Sequence, residues 1–170
     1  MAEIIKSYRQ NVGAARFIGK RYGDADRVDG MFGAKWGDWF ENGWFDIIEA
    51  QIGENPADAH EDSGAYIGLM READGKFEYY IGIFAPESMA VPDGFVHIDF
   101  PAGELGVCWV YGKDGEVYGL EGDCWERLEG DAKDKLEISG GWCFERYGCP
   151  RFTAPDEHGN IILDICFYLK

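Results

Sequence analysis

The sequence predicts an α+β fold, a tandem strand-helix-strand-strand repeat that forms one curved antiparallel sheet with two helices packed on one side and a groove between the repeats. Three observations predict it. Two weakly similar halves run through the same order of elements. The dipeptides Asp74-Gly75 and Asp114-Gly115 mark tight turns in each half. The strand-like runs Phe77 to Phe84 and Ile161 to Leu169 lie about one half-chain apart.

In the first half, Ala14 to Tyr22 reads as a strand that stops at Gly23-Asp24. Met31 to Ile52 reads as one helix, because Phe32, Trp36, Trp39, Phe40, Gly43, Ile47 and Ala50 recur at helical spacing. Tyr66 to Glu72 and Phe77 to Phe84 form a hairpin across Ala73-Asp74-Gly75. The second half repeats the order. Val96 to Phe100 and Leu105 to Tyr111 are extended, with Pro101-Ala102-Gly103 bending the chain between them. A shorter helix is expected from Val117 to Leu128, and Trp142 to Cys149 pairs with Ile161 to Leu169. Gly140-Gly141, ahead of that pair, reads as a turn. The segment from Ala85 to Gly94, with Pro86, Pro92 and Gly94, reads as a connector. The expected organisation is a single domain over 1–170, with repeat one about 8–85, a linker 86–94 and repeat two about 95–170.

Composition narrows the function classes. Sixteen basic residues against 32 acidic ones give a formal charge of −16. Such a surface repels phosphate backbones and anionic membranes and favours cationic partners, so direct nucleic-acid or membrane binding is not expected. Met1 to Lys6 carries no apolar run behind a basic region, and no stretch approaches the ~18 apolar residues of a membrane span. Together with five cysteines, an odd number, this points to a cytoplasmic protein with reduced thiols. The histidines His60, His97 and His158 are isolated, and no metal-ligand spacing or phosphate-loop lysine is present. No metal or cofactor is expected.

One set of segments carries a resemblance. Pro92-x-Gly94, Pro101-Ala102-Gly103 and Phe144-Glu145-x-Tyr147 follow one another in a fixed order, preceded by Trp36-x-x-Trp39-Phe40 on the first helix. In this order and spacing the chain resembles the GyrI-like small-molecule-binding domain, the effector-binding half of many bacterial regulators of the AraC and MerR types. The resemblance implies a ligand groove between the repeats and a standalone form, since no helix-turn-helix precedes the first strand. It also implies a small aromatic or cationic ligand, or a protein partner such as DNA gyrase.

The resemblance maps its central acid onto Glu145. On a strand Glu145 shares a face with Cys143 and Tyr147, while Phe144 and Arg146 point the other way. A carboxylate on a largely apolar face needs a partner. Either a bound cation supplies it, or a basic side chain such as Arg71 or Arg146 does. Trp36, Trp39, Phe40 and Trp44 are candidates for one cavity wall, with plain core packing as the alternative. Tyr66, Tyr79, Tyr80, Trp109, Tyr111 and Trp142 supply further rings. Tyr79 and Tyr80 are adjacent, so only one of them faces the groove.

Three functions use these residues. The first is capture of hydrophobic aromatic, cationic small molecules, with Glu145 neutralising the charge. The second is hydrolysis of electrophilic, cyclopropane-type aromatic toxins, with Glu145 activating water and Tyr147 polarising the electrophile. The third is a protein-interaction module that binds gyrase or a regulator through its acidic surface.

Overall fold

Short β-branched and aromatic runs separated by glycine turns become eight strands and three α-helices in the computed structural model, which describes residues 1–54 and 64–170. His60 lies outside the described residues. The chain divides into two compact units, Gly13–Ala102 and a second built from Met1–Val12 together with Gly103–Lys170. The fold class is α+β, as expected, with antiparallel pairing along each strand ladder.

The first unit contains β2 (Ala15–Tyr22), α1 (Gly33–Glu41), α2 (Trp44–Ile52), β3 (Tyr66–Ala73), β4 (Lys76–Pro86) and β5 (Val96–Phe100). Its strands lie in the order β3-β4-β2-β5. Asp74 and Gly75 both take positive φ, 53° and 72°, and turn β3 tightly into β4, the conformation that an Asp-Gly pair favours between strands. Alternation on β4 sends Tyr79, Ile81, Ile83 and Ala85 to the helices, where they meet Trp39, Phe45 and Ile48.

Sequence periodicity predicted one helix from Met31 to Ile52, whereas two form, broken at Asn42-Gly43. Gly43 adopts φ 67°, ψ 28°. This left-handed conformation ends helices and suits a residue without Cβ. The apolar stripe continues across the break, which is why spacing alone reads it as continuous.

The second unit contains β1 (Glu3–Val12), β6 (Gly103–Gly112), α3 (Glu121–Asp131), β7 (Ile138–Tyr147) and β8 (Ile161–Leu169), in the sheet order β1-β6-β8-β7. Cys108, Val110, Leu163, Ile165 and Phe167 pack on Val117, Cys124 and Leu128 beneath α3. The helix begins at Glu121, not Val117, because residues 113–120 are held in turns with Gly115 and Gly119 at φ 90° and 79°. Val117 is buried all the same, as a loop residue. Strand β7 begins at Ile138, not Trp142. Gly140-Gly141 therefore lies inside it, where the register with β8 shifts between Ile138 and Cys143.

Each unit thus holds the expected strand-helix-strand-strand order plus one more strand. In the first unit that strand is β5, paired to β2 from Ala15↔Phe100 to Gly19↔Val96. In the second it is β1, paired to β6 from Glu3↔Tyr111 to Val12↔Gly103. Strand β1 is half exposed along its length and mixes Lys6, Ser7, Arg9 and Gln10 with apolar residues, so it shows no clean two-residue alternation.

In the first unit, the strand face away from the helices carries Glu78, only 7% exposed. Arg71 Nε donates to it at 2.7 Å, the Tyr80 hydroxyl at 3.1 Å, and Arg21 lies 3.0 Å away. Burial pushes its carboxyl upward, but the hydrogen bonds from Arg71 and Tyr80 and the two guanidinium charges outweigh burial and hold it below the usual range. A carboxyl whose folded value is depressed adds stability that is complete above its unfolded value, about 4.3, and is lost as pH falls through the folded value. Between about pH 5 and 2, wild type is therefore expected to lose urea stability more steeply than Glu78→Gln. Parallel pH profiles would refute this assignment.

Candidate functional site

Glu145 sits on the helix-facing side of β7, near the end of the strand and opposite Ile165 of β8, and is 9% exposed. Two-residue alternation puts Cys143 and Tyr147 on the same face. The Tyr147 hydroxyl donates a short hydrogen bond to Glu145 Oε2. The Tyr147 ring meets Phe152 edge-on at 4.7 Å. A buried acid, a tyrosine that hydrogen-bonds it and an aromatic wall are therefore gathered on one strand and the loop that follows it.

The charge on Glu145 is felt by its neighbours. Burial, with Glu121 and Glu145 adding to it, pushes the Cys143 thiol up to about 12. Burial also raises Tyr118, followed by the charge of Asp114, its hydrogen bond to Asp114 Oδ1 at 3.1 Å, and the charge of Glu145. Both groups stay neutral near pH 7 and present dipoles rather than charges. Tyr118 and Phe152 pack against the same core as Cys143 and Tyr147. Sequence reasoning did not single out either of them: Tyr118 stands in the turn region read as helix, and Phe152 lies in the turns that follow β7. Their only signal was an aromatic ring near a glycine.

The two arginines offered as partners for Glu145 are engaged elsewhere too. Arg146, on the opposite face of β7, donates from Nε to Asp164 at 2.8 Å, and Arg71 binds Glu78 in the other unit. Trp142 alternates with Cys143, so it lies on the Arg146 side of the strand, and it is buried. Trp109 pairs with Lys6 on β1 and Asp164 on β8. Its ring lies under the Lys6 ammonium at 4.4 Å and the Arg151 guanidinium at 4.7 Å. Tyr111 hydrogen-bonds Asp156 and accepts from Asn160 Nδ2 at 2.9 Å.

The remaining predicted rings belong to the first unit. Trp39 is wholly buried, and its Nε1 donates to the Tyr22 hydroxyl at 3.0 Å. Trp36 Nε1 donates to the Tyr79 hydroxyl at 2.9 Å. Tyr79, not Tyr80, faces the helices, stacked on Phe32 with centroids 4.3 Å apart. Tyr66 stacks on Phe45 at 3.7 Å, and its hydroxyl is held neutral by burial and by Glu49. Phe40 is 62% exposed and touches Phe45 and Tyr66 at its edge. The structure therefore joins Glu145 with Tyr147 in one unit, and Trp36, Trp39, Phe40, Tyr66 and Tyr79 in the other.

Among the described residues no helix is long and apolar enough to cross a membrane. No group of three or more His, Cys, Asp or Glu side chains is gathered there as a metal site. None of the five cysteines is joined in a disulfide, and Cys108, Cys124 and Cys166 are buried.

Comparison with known proteins agrees with this architecture. Over 97% of the chain and 98% of its counterpart, the fold matches a putative bacterial transcription regulation protein from Staphylococcus aureus MU50, with a TM-score of 0.65 at 14% identity. It matches SAV2435 bound to tetraphenylphosphonium with a TM-score of 0.67 at 16% identity, over 98% and 94% of the two chains. An integron cassette protein from Vibrio cholerae, VCH_CASS2, matches over 99% of both chains, with a TM-score of 0.54 at 15% identity. None of the curated proteins matches the sequence significantly. The profile of the Cass2 family, described as integron-associated effector binding protein, matches residues 12–165. This chain therefore belongs to the Cass2 family of effector-binding proteins, with the fold of the GyrI-like effector-binding domains of regulators.

Proposed function

We propose that the chain binds a hydrophobic aromatic cation, held at Glu145. The observation that carries the reading is the buried Glu145 carboxylate beside the Tyr147 hydroxyl, on a sheet face lined with neutral aromatic and thiol groups. A delocalised cation bound there faces the Glu145 carboxylate, and each flanking ring adds about 0.5–2 kcal/mol of cation–π attraction. Tyr147 holds the carboxylate in place through its hydrogen bond. The structural relative SAV2435, bound to tetraphenylphosphonium, supports the same class of ligand. The net charge of −16 raises the local concentration of any cation.

The test is calorimetric titration of the full chain with tetraphenylphosphonium and with neutral triphenylphosphine oxide. Glu145→Gln keeps the shape of the side chain and removes its charge. It is expected to weaken the cation about tenfold to a hundredfold, roughly 1.4–2.8 kcal/mol, and to change the neutral compound less than threefold. Equal losses for both compounds would rule out charge pairing. Time-dependent consumption of a cyclopropane-containing substrate, abolished in the same variant, would replace binding with hydrolysis.

A further inference from the structure

The loop Pro92-Asp93-Gly94-Phe95 is a turn in the first unit, closed by the Phe95 amide donating to the Pro92 carbonyl at 3.3 Å. Gly94 takes φ 86° there, and its carbonyl oxygen accepts a hydrogen bond from Lys20 Nζ at 2.9 Å. The Lys20 ammonium also lies 4.4 Å from the centre of the Trp44 ring and 4.7 Å from that of Phe95. Trp39 supports both rings, packed edge-on to Trp44 at 5.6 Å and tilted against Phe95 at 5.8 Å. The helix break at Gly43 is what brings Trp44 here, as the first residue of α2. The β2–β5 pairing ends at Gly19, so Lys20 emerges just beyond it, beside the turn.

Two aromatic faces and a carbonyl oxygen make up the usual apparatus for holding an ammonium ion. In this protein a cation of its own chain occupies it. We infer that this cage is a second cation site, selective for primary alkylammonium groups, and that Lys20 is its tethered occupant, displaced when such a ligand binds. Selectivity comes from the Gly94 oxygen. A primary ammonium keeps the N–H bond that Lys20 makes, whereas a quaternary ammonium has only the ring faces. Displacement is feasible because Lys20, Trp44 and Phe95 are each only partly buried, and a lysine side chain has wide rotamer freedom once released. The tether also sets the affinity. A cage open one-tenth of the time binds about tenfold more weakly than an open one. This inference does not depend on Glu145, which belongs to the other unit.

The experiment is a titration of the full chain with butylammonium chloride at constant ionic strength, following the Lys20 methylene next to Nζ by NMR. With the ammonium over the Trp44 and Phe95 rings, that signal is expected upfield of a free lysine. It is expected to move saturably to the position of a free lysine, at lower concentration for butylammonium than for tetramethylammonium and not at all for butanol. Lys20→Ala is expected to bind butylammonium about tenfold or more tightly than wild type, and Trp44→Ala to lose that binding. A Lys20 signal that stays upfield at saturating butylammonium would overturn the proposal, as would a Lys20→Ala variant that binds no better. The wild-type titration decides the question even where a variant folds poorly.

Discussion

Asp164→Asn is expected to destabilise the fold by about 3–5 kcal/mol, which is the range found when one member of a buried ion pair is removed. Asp164 is wholly buried on β8, and directly across the ladder stands Arg146, itself 5% exposed. Arg146 Nε donates to Oδ2 at 2.8 Å, and Arg151 donates to both oxygens, at 3.1 and 2.5 Å. Arg146 reaches further, to Gln10 Oε1 at 3.1 Å and the Tyr8 hydroxyl at 3.5 Å. An asparagine would place a neutral amide, with N–H groups of its own, between two guanidinium ions.

The urea midpoint of this variant should fall with an unchanged slope, since the surface exposed on unfolding stays the same. The double variant Arg146→Met/Asp164→Leu should recover much of the loss, because a buried pair exchanged for apolar side chains is often neutral. A coupling of about 1–3 kcal/mol between the two sites would show this directly. Additive losses would mean that Arg151, at 31% side-chain exposure, holds Asp164 by itself.

The second large effect is at Trp39. Its truncation to alanine removes the largest fully buried side chain of the first unit, and with it the contacts to Trp44, Phe45 and Phe95. Losing a buried tryptophan costs about 3–5 kcal/mol through lost transfer energy and the cavity left behind. The Tyr22 hydroxyl also loses its donor. The neighbouring Phe40→Ala is expected to fall within about 0.5 kcal/mol of wild type, as exposed substitutions do. Thermal unfolding of the two variants side by side checks the contrast. Similar losses at both positions would mean that the exposed ring of Phe40 carries packing energy of its own.

These two neighbours show how far periodicity reaches. Both fall on the helical stripe read from spacing, and both belong to the resemblance carried by Trp36-x-x-Trp39-Phe40. Yet one is wholly buried and the other 62% exposed. Successive helical residues lie 100° apart, so a stripe defines a face but not its edge. The edge is set by what packs there, and Phe95 covers Trp39 from far along the chain. Spacing also carried the helix through Gly43, because an apolar stripe survives a change of axis and a single left-handed residue leaves no mark on it.

Determined by the sequence itself were the α+β class, the duplicated order of elements and the strands Val96–Phe100 and Ile161–Leu169 at their observed limits. So were the Asp-Gly hairpin and the face that Glu145 shares with Cys143 and Tyr147. These follow from local rules, namely two-residue alternation, turn chemistry and apolar spacing, which act over a few residues. Only the tertiary structure decided the partners of the charges: Arg146 with Asp164, Arg71 with Glu78, Lys20 with Trp44 and Phe95. It likewise decided that β1 pairs with β6, about a hundred residues away. Long-range partners are chosen by which register buries both faces of a sheet at once. That choice depends on every strand together and is written in no single stretch of the chain.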